Sequence, residues 1–290
     1  MDYCNLCPRG CKVNRNLGER GVCGETNEIR VARASLHLWE EPPISGERGS
    51  GTVFFSGCPL HCVFCQNHNI SDGTNGKVVT IDELATIFLH LQDMGAENIN
   101  LVTPTHFVPG IRAALIKAKG EGLTLQVVYN TSSYESVETL KLLSGLVDIY
   151  LPDLKYKSSE LSKKYSHVAD YFEVATAAIS EMVKQVGPKN VIIRHLVLPN
   201  CIDDSKAVIK YINETYGNDI FISIMSQYTP LPFVKEPELQ RRITVEEYDE
   251  VVDFAADLGI TNAFVQEGEA AEESFIPDFE NWNLEEFLRT

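Results

Sequence analysis

The sequence predicts an α/β fold, a partial (β/α)6 barrel with a small cysteine-rich N-terminal metal-binding segment. Three observations predict it. From residue 51 on, short apolar runs alternate with amphipathic stretches; most of the apolar runs are too continuously apolar to be half-exposed; and seven of the eight cysteines fall in the first 65 residues. Continuous apolar runs suit parallel strands covered by helices. Strand then helix, about six times over, reads as a (β/α) barrel or partial barrel, with a doubly wound sheet as the alternative. At 290 residues and 44% hydrophobic side chains, the chain can bury one large core.

The apolar runs place strands at 52–55 (TVFF), 99–102 (INLV), 123–129 (LTLQVVY), 147–151 (VDIYL), 191–198 (VIIRHLVL), 220–225 (IFISIM) and 262–266 (NAFVQ). Two of the intervening helices announce their starts. TIDELATIFLHLQDMG carries a capping box of Thr80 with Glu83 and ends at Gly95, and TVEEYDEVVDFAADLG repeats it with Thr244, Glu247 and Gly259. Ligands of such folds gather at the C-terminal ends of the strands. The segments following successive strands are SGCPLHCVFCQN, TPTHF, NTSS, PDLKY, PNCIDD, SQYTP and EGE.

Two segments fall outside the repeat. Residues 1–50 hold four cysteines, few apolar residues and the turn-rich linker EEPPISGERGSG. Residues 51–266 form the barrel. Residues 267–290 carry eight acids against one arginine, yet also Phe275, Phe279, Trp282 and Phe287, so an acidic tail packed on the barrel is expected. The formal charge of −16 argues against a nucleic-acid partner, whose affinity rests on Lys and Arg neutralising phosphates. No run approaches the roughly 18 apolar residues of a spanning helix. The start MDYCNLCPRG lacks a signal-peptide pattern, and a cytoplasmic protein without a membrane partner is expected. Cysteines closely spaced in a reducing compartment favour metal or cluster ligation over disulfides. Cys201 stands apart and reads as a buried small hydrophobe.

Cys58-x3-Cys62-x2-Cys65 occupies the loop after the first barrel strand. Three thiolates can hold three irons of a four-iron, four-sulfur cluster and leave the fourth iron open to a small molecule. A zinc knuckle borrowing a distant fourth ligand is the alternative. The second set, Cys4-x2-Cys7-x3-Cys11-x11-Cys23, has the four thiolates of a closed site. Structural zinc, which would fold this core-poor segment outright, and a second iron–sulfur cluster relaying electrons both suit it.

The three-cysteine spacing, with Phe64 directly before the last cysteine, resembles the signature of the radical S-adenosylmethionine (SAM) superfamily. Within it the chain is similar to the pyruvate formate-lyase activating enzymes from about residue 30 to 265, through GSGTVFFSGCPLHCVFCQN, YNTS, DIYLPDLKY and IIRHLVLP. The resemblance implies a [4Fe-4S] cluster held by Cys58, Cys62 and Cys65, and SAM chelated at the open iron. It implies an electron from flavodoxin or ferredoxin, a 5′-deoxyadenosyl radical, and hydrogen abstraction from a substrate. That substrate would be a glycyl radical enzyme or, alternatively, a small molecule or peptide. A non-catalytic iron–sulfur or metal-binding protein is the alternative of another class.

The same resemblance assigns roles. Phe64 packs near the adenine, Asp153 and Lys155 reach the methionyl end, Asn130 and Thr131 match a neighbouring polar pair, and Arg194 matches an arginine inside the fifth strand. A charge in so apolar a strand needs a partner. Two departures mark this chain. The Gly-Gly-Glu that the family shows after strand two is replaced by TPTHF, so Thr103, Thr105 or backbone carbonyls are expected to receive the ligand's amino group. The strand-six histidine is replaced by SQYTP, leaving Gln227 or Tyr228 for the ribose. His37 and EEPP lie between the two cysteine sites, and a histidine near a cluster is a candidate substrate contact.

Overall fold

A computed structural model describes residues 3–266 and 277–289. Among the described residues there are nine strands: β1 (Ile29–His37), β2 (Ser50–Phe55), β3 (Lys77–Val79), β4 (Ile99–Val102), β5 (Val127–Thr131), β6 (Ile149–Pro152), β7 (Ile192–Leu196), β8 (Phe221–Met225) and β9 (Ala263–Val265). Their order is β3-β1-β2-β4-β5-β6, followed by β7-β8-β9. The two parts are joined through the parallel bridges Tyr150 to Val191 and Asp153 to Arg194. From β2 to β9 every pairing is parallel. β1 and β3 are antiparallel additions on the β2 side. The result is the open sheet of a partial barrel, and each predicted apolar run overlaps one of its parallel strands.

The helices explain why the parallel strands are so apolar. Short helices α1 (Pro42–Ser45) and α2 (His68–Ser71) flank β2, and α3 (Ile81–Asp93) follows β3. Next come α4 (Val108–Gly120), α5 (Val137–Lys141), α6 (Ser159–Ser166), α7 (Tyr171–Val186), α8 (Ile202–Tyr216), α9 (Val245–Asp257) and α10 (Leu284–Phe287). On α3, Leu84, Ile87, Phe88 and Leu91 are buried at helical spacing against β4 and β2, whose residues are buried on both faces. Both expected capping boxes are present: Thr80 accepts from the Glu83 amide and Thr244 from the Glu247 amide, with each glutamate reaching back to the cap. Each such cap contributes about 1 kcal/mol.

Residues 1–50 differ from the expected segment and linker. Nine of them, Ile29–His37, form β1, which pairs with β2 over most of its length and carries β3 on its other edge. Arg30 and Arg33, three apart, are both half-buried because the register shifts at a bulge between Val31 and Arg33. In the C-terminal segment, Phe279 is buried edge-on against Phe54, Arg33 donates to the Asp278 carbonyl at 2.6 Å, and Trp282 and Phe287 pack on the main core. Phe275 and the EGE segment lie outside the described residues.

Candidate active site

The strand ends converge on one cavity of about 260 Å³. Cys58, Cys62, Phe64 and Cys65 reach it from the loop after β2, Thr103 from the end of β4, and Asn130, Thr131 and Ser132 from β5. Asp153 and Lys155 come from β6, Arg194 from β7, and Gln227 and Tyr228 from the segment after β8. His37, Trp39, Phe54 and Pro277 also line it, with the His37 ring edge-on to Phe54.

Gly57 makes the turn that presents the cysteine loop. Its φ is +83°, and a Cβ there would stand 2.5 Å from the Cys23 carbonyl oxygen, so only glycine fits. The loop is then tied down by Val63 N–H donating to the Tyr165 carbonyl (2.9 Å) and by the Cys62 sulfur 3.0 Å from Ser166 Oγ. Burial pushes the Cys62 thiol up to about 11, against the pull of Lys155. Burial likewise raises Cys65 to about 12, with Cys58 and Cys62 adding to it. Free thiols here are therefore protonated near neutral pH, and ligation must displace their protons.

Opposite the thiols runs a chain of paired charges. Lys155 Nζ donates to Asp153 Oδ2 at 2.6 Å, and Arg194 Nε to Asp153 Oδ1 at 2.9 Å. Arg194 Nη1 reaches Glu40 Oε2 at 3.2 Å, and its Nη2 donates to Asn130 Oδ1 at 2.5 Å. Asn100 and Asn130 both donate to Glu40 Oε1, at 3.1 and 3.2 Å. Burial alone would raise the Asp153 carboxyl, but Arg194 and Lys155 together hold it below the usual range. Burial raises Glu40 against the pull of Arg194. Lys155 stays charged despite burial because the Asp153 carboxylate faces it.

Two of the candidate residues have hydroxyl contacts outside the cavity. Thr105 does not border the cavity: it begins a 3-10 turn, is fully buried, and donates to Glu135 Oε1 at 2.6 Å. The Tyr228 hydroxyl donates its proton to the Leu239 carbonyl at 2.6 Å, which leaves it only as an acceptor. Thr131 borders the cavity, but its hydroxyl also donates to Glu135. Gln227 borders it, with its amide held by Gln266 (3.3 Å) and Met225 (3.6 Å). Cys201 is buried in the core and borders no cysteine site. Glu40 was missed as a site residue. Its sequence signal was a carboxylate before Pro-Pro after a strand, which reads equally as a turn.

The geometry can be set beside known proteins. Residues 52–212 match the Radical SAM superfamily. The chain belongs to the radical SAM superfamily. An uncharacterized protein of Methanocaldococcus jannaschii is 34% identical over 263 residues, covering 87% of this chain and 74% of that protein. Pyruvate formate-lyase 1-activating enzyme of Escherichia coli is 23% identical over 172 residues, 52% of this chain and 62% of the enzyme. Among solved structures, Streptococcus suis SuiB bound to S-adenosylmethionine aligns with TM-score 0.52 at 16% identity, over 73% of this chain and 49% of SuiB. The FeFe-hydrogenase maturase HydG from Carboxydothermus hydrogenoformans aligns with TM-score 0.55 at 12% identity, over 86% and 58%. These likenesses show the fold.

Radical SAM family membership implies a [4Fe-4S] cluster and SAM, and the donor set fits both. Cys58, Cys62 and Cys65 border one cavity, with Cys58 and Cys62 close enough to raise the Cys65 thiol, and a cluster takes one thiolate per iron. The paired Asp153, Lys155 and Arg194 beside them offer both signs to a zwitterion.

In this radical SAM protein the N-terminal cysteines lie against the cluster loop. Cys7 and Cys23 are buried, Cys4 and Cys11 half-buried. Arg15 Nη1 approaches the Cys4 sulfur at 4.0 Å while donating to the His106 carbonyl, and His61 Nε2 meets the Val22 carbonyl at 2.7 Å. Burial pushes the Cys7 thiol up to about 12. Cys4 and Cys23 lie close enough to Cys7, and Cys4 and Cys11 to Cys23, to add to the burial that raises those two thiols, so the four sulfurs share one neighbourhood. Among the described residues no helix is long and apolar enough to cross a membrane.

Proposed function

We propose that this radical SAM enzyme holds its cluster on Cys58, Cys62 and Cys65 and binds SAM in the adjoining polar cavity, with electrons supplied by flavodoxin or ferredoxin. The observation that supports it most is that the three thiols and the Asp153–Lys155–Arg194 set face one cavity. When bound, the cluster supplies the electron that cleaves SAM to a 5′-deoxyadenosyl radical, which takes hydrogen from the substrate.

The chain's own residues bind and orient. Lys155 and Asp153 receive the methionyl carboxylate and amino group, with Arg194 fixing Asp153 from behind. Asn130 presents a side-chain amide, Thr103 and Thr131 present backbone polar groups, Phe64 packs on the adenine, and Gln227 serves the ribose. Leu60, Phe64 and Met225 close the walls to water. The test is iron content: anaerobically reconstituted protein should lose about four irons per chain on Cys58→Ser with Cys62→Ser and Cys65→Ser. Retention of all iron in that variant would overturn the assignment.

For the substrate, the partial likeness to the E. coli activating enzyme supports a glycyl radical enzyme as partner. A small molecule or a peptide is the second reading; the cavity of about 260 Å³, lined by His37, Trp39, Phe54 and Pro277 as well as by the charged set, supports it. Glycyl-radical signal on an added partner enzyme supports the first, and its absence with SAM still consumed supports the second. Cys4, Cys7, Cys11 and Cys23 form a separate site for zinc or a second iron–sulfur cluster. Metal analysis of the Cys4→Ala plus Cys7→Ala variant separates the two, since loss of iron excludes zinc and loss of zinc excludes the cluster.

A further inference from the structure

We propose that Ser166, at the C-terminal end of α6, is a positioning residue that donates a hydrogen bond to the Cys62 sulfur and makes the cluster easier to reduce. This rests on the reading of Cys58, Cys62 and Cys65 as cluster ligands. Ser166 is fully buried; its Oγ lies 3.0 Å from Cys62 Sγ and 3.0 Å from the hydroxyl of Tyr156, which is itself buried.

Proton counting fixes the direction of both bonds. A ligating cysteine is a thiolate and can only accept, so the single Ser166 proton points to sulfur. Ser166 Oγ must then accept from Tyr156, whose hydroxyl has no second partner among the described side chains. The relay runs Tyr156 to Ser166 to Cys62, each donor polarising the next. Reduction adds negative charge to the cluster and its sulfurs, so a donor aimed at sulfur stabilises the reduced state more than the oxidised one.

The surroundings hold Ser166 at this distance. The helix ends in a left-handed residue, His167 (φ 58°), which turns the last carbonyls outward. Arg9, between Cys7 and Cys11, spans helix end and cluster loop: its Nε donates to the Pro59 carbonyl (2.7 Å), Nη1 to His167 (2.9 Å) and Nη2 to Ser166 (3.3 Å). With the Val63 amide on the Tyr165 carbonyl, loop and helix end are joined on both sides of the sulfur. The N-terminal cysteine segment thus braces the hydroxyl that faces the other cysteine site.

The experiment is a potentiometric titration of the anaerobically reconstituted full chain, following the paramagnetic signal that changes when SAM is added. In Ser166→Ala, with iron content maintained, the ratio of reduced to oxidised cluster at a fixed potential should fall about tenfold, equivalent to a midpoint about 59 mV more negative. Tyr156→Phe, which leaves the serine in place, should shift it in the same direction by less. A midpoint unchanged in Ser166→Ala overturns the proposal; if that variant loses its iron, an unchanged midpoint in Tyr156→Phe does so. Failure of the unsubstituted protein to show any SAM-responsive cluster would instead overturn the reading beneath it, and the proposal with it.

Discussion

Arg194 and Glu40 meet at 3.2 Å in the barrel interior although 154 residues separate them. The contact joins the segment after β1 to the middle of β7. Asn100 and Asn130 donate to the same carboxylate, and Glu40 and Arg194 both line the cavity. Breaking a buried, hydrogen-bonded pair from one side leaves the other charge uncompensated, at a cost of about 3 kcal/mol. Glu40→Ala should lower unfolding stability by about that much in urea titrations, with Glu40→Gln losing less because an amide still accepts. A loss under about 0.5 kcal/mol would show that Glu40 is a solvated bystander.

Lys155 presents the cation nearest the thiols, while Asp153 keeps Arg194 as a partner without it. Lys155→Ala should therefore weaken SAM binding tenfold or more, taking a charged hydrogen bond as roughly 1.5–3 kcal/mol. Iron content should remain unchanged. Anaerobic calorimetry reads the affinity, and equal binding by the two proteins would remove Lys155 from the cofactor site.

Burial lowers His195 to about 4 and His106 to about 3. The neutral His195 ring donates from Nδ1 to the Leu154 carbonyl (2.7 Å) and accepts from Ser205 at Nε2 (2.9 Å). Both folded-state values lie below the ordinary value of 6.5, so below that pH the unfolded chain binds more protons and stability falls as pH falls. Each histidine contributes a slope of up to about 1.4 kcal/mol per pH unit between about pH 6 and 4. Urea midpoints across that window should show the slope, and His195→Gln should flatten it by about half. An unchanged slope in the variant would mean that His195 is not titrating there.

Gly57 touches the Cys23 carbonyl with a left-handed backbone. Gly57→Ala should cost upward of about 1 kcal/mol and lower iron retention under chelation, because the cysteine loop and the N-terminal segment share that contact. Iron retained as in the parent would show the two segments to be independent.

The parallel strands and the two capped helices were legible because their signals are local: continuous apolar runs, and a threonine three residues before a glutamate. β1 was not, since Arg30, Arg33 and Ser35 interrupt its apolar residues and it lies in a region dominated by cysteines. β3 has three residues, too few for a periodicity. The Cys58, Cys62 and Cys65 loop stands out by its spacing, whereas Asp153, Lys155 and Arg194 stand out only through the resemblance of PDLKY and IIRHLVLP to the family, and the structure places all six on one cavity. Glu40 was not, because its meaning depends on Arg194 across the barrel. Thr105 misled, because its place after a strand says nothing of the 3-10 turn that aims its hydroxyl at Glu135.

The central claim, that three cysteines leave a coordination position for SAM, is tested most directly by product analysis of anaerobically reconstituted protein with dithionite and SAM. The account predicts release of 5′-deoxyadenosine that disappears in Cys58→Ser. No release from protein with its iron–sulfur cluster intact and SAM bound would contradict it.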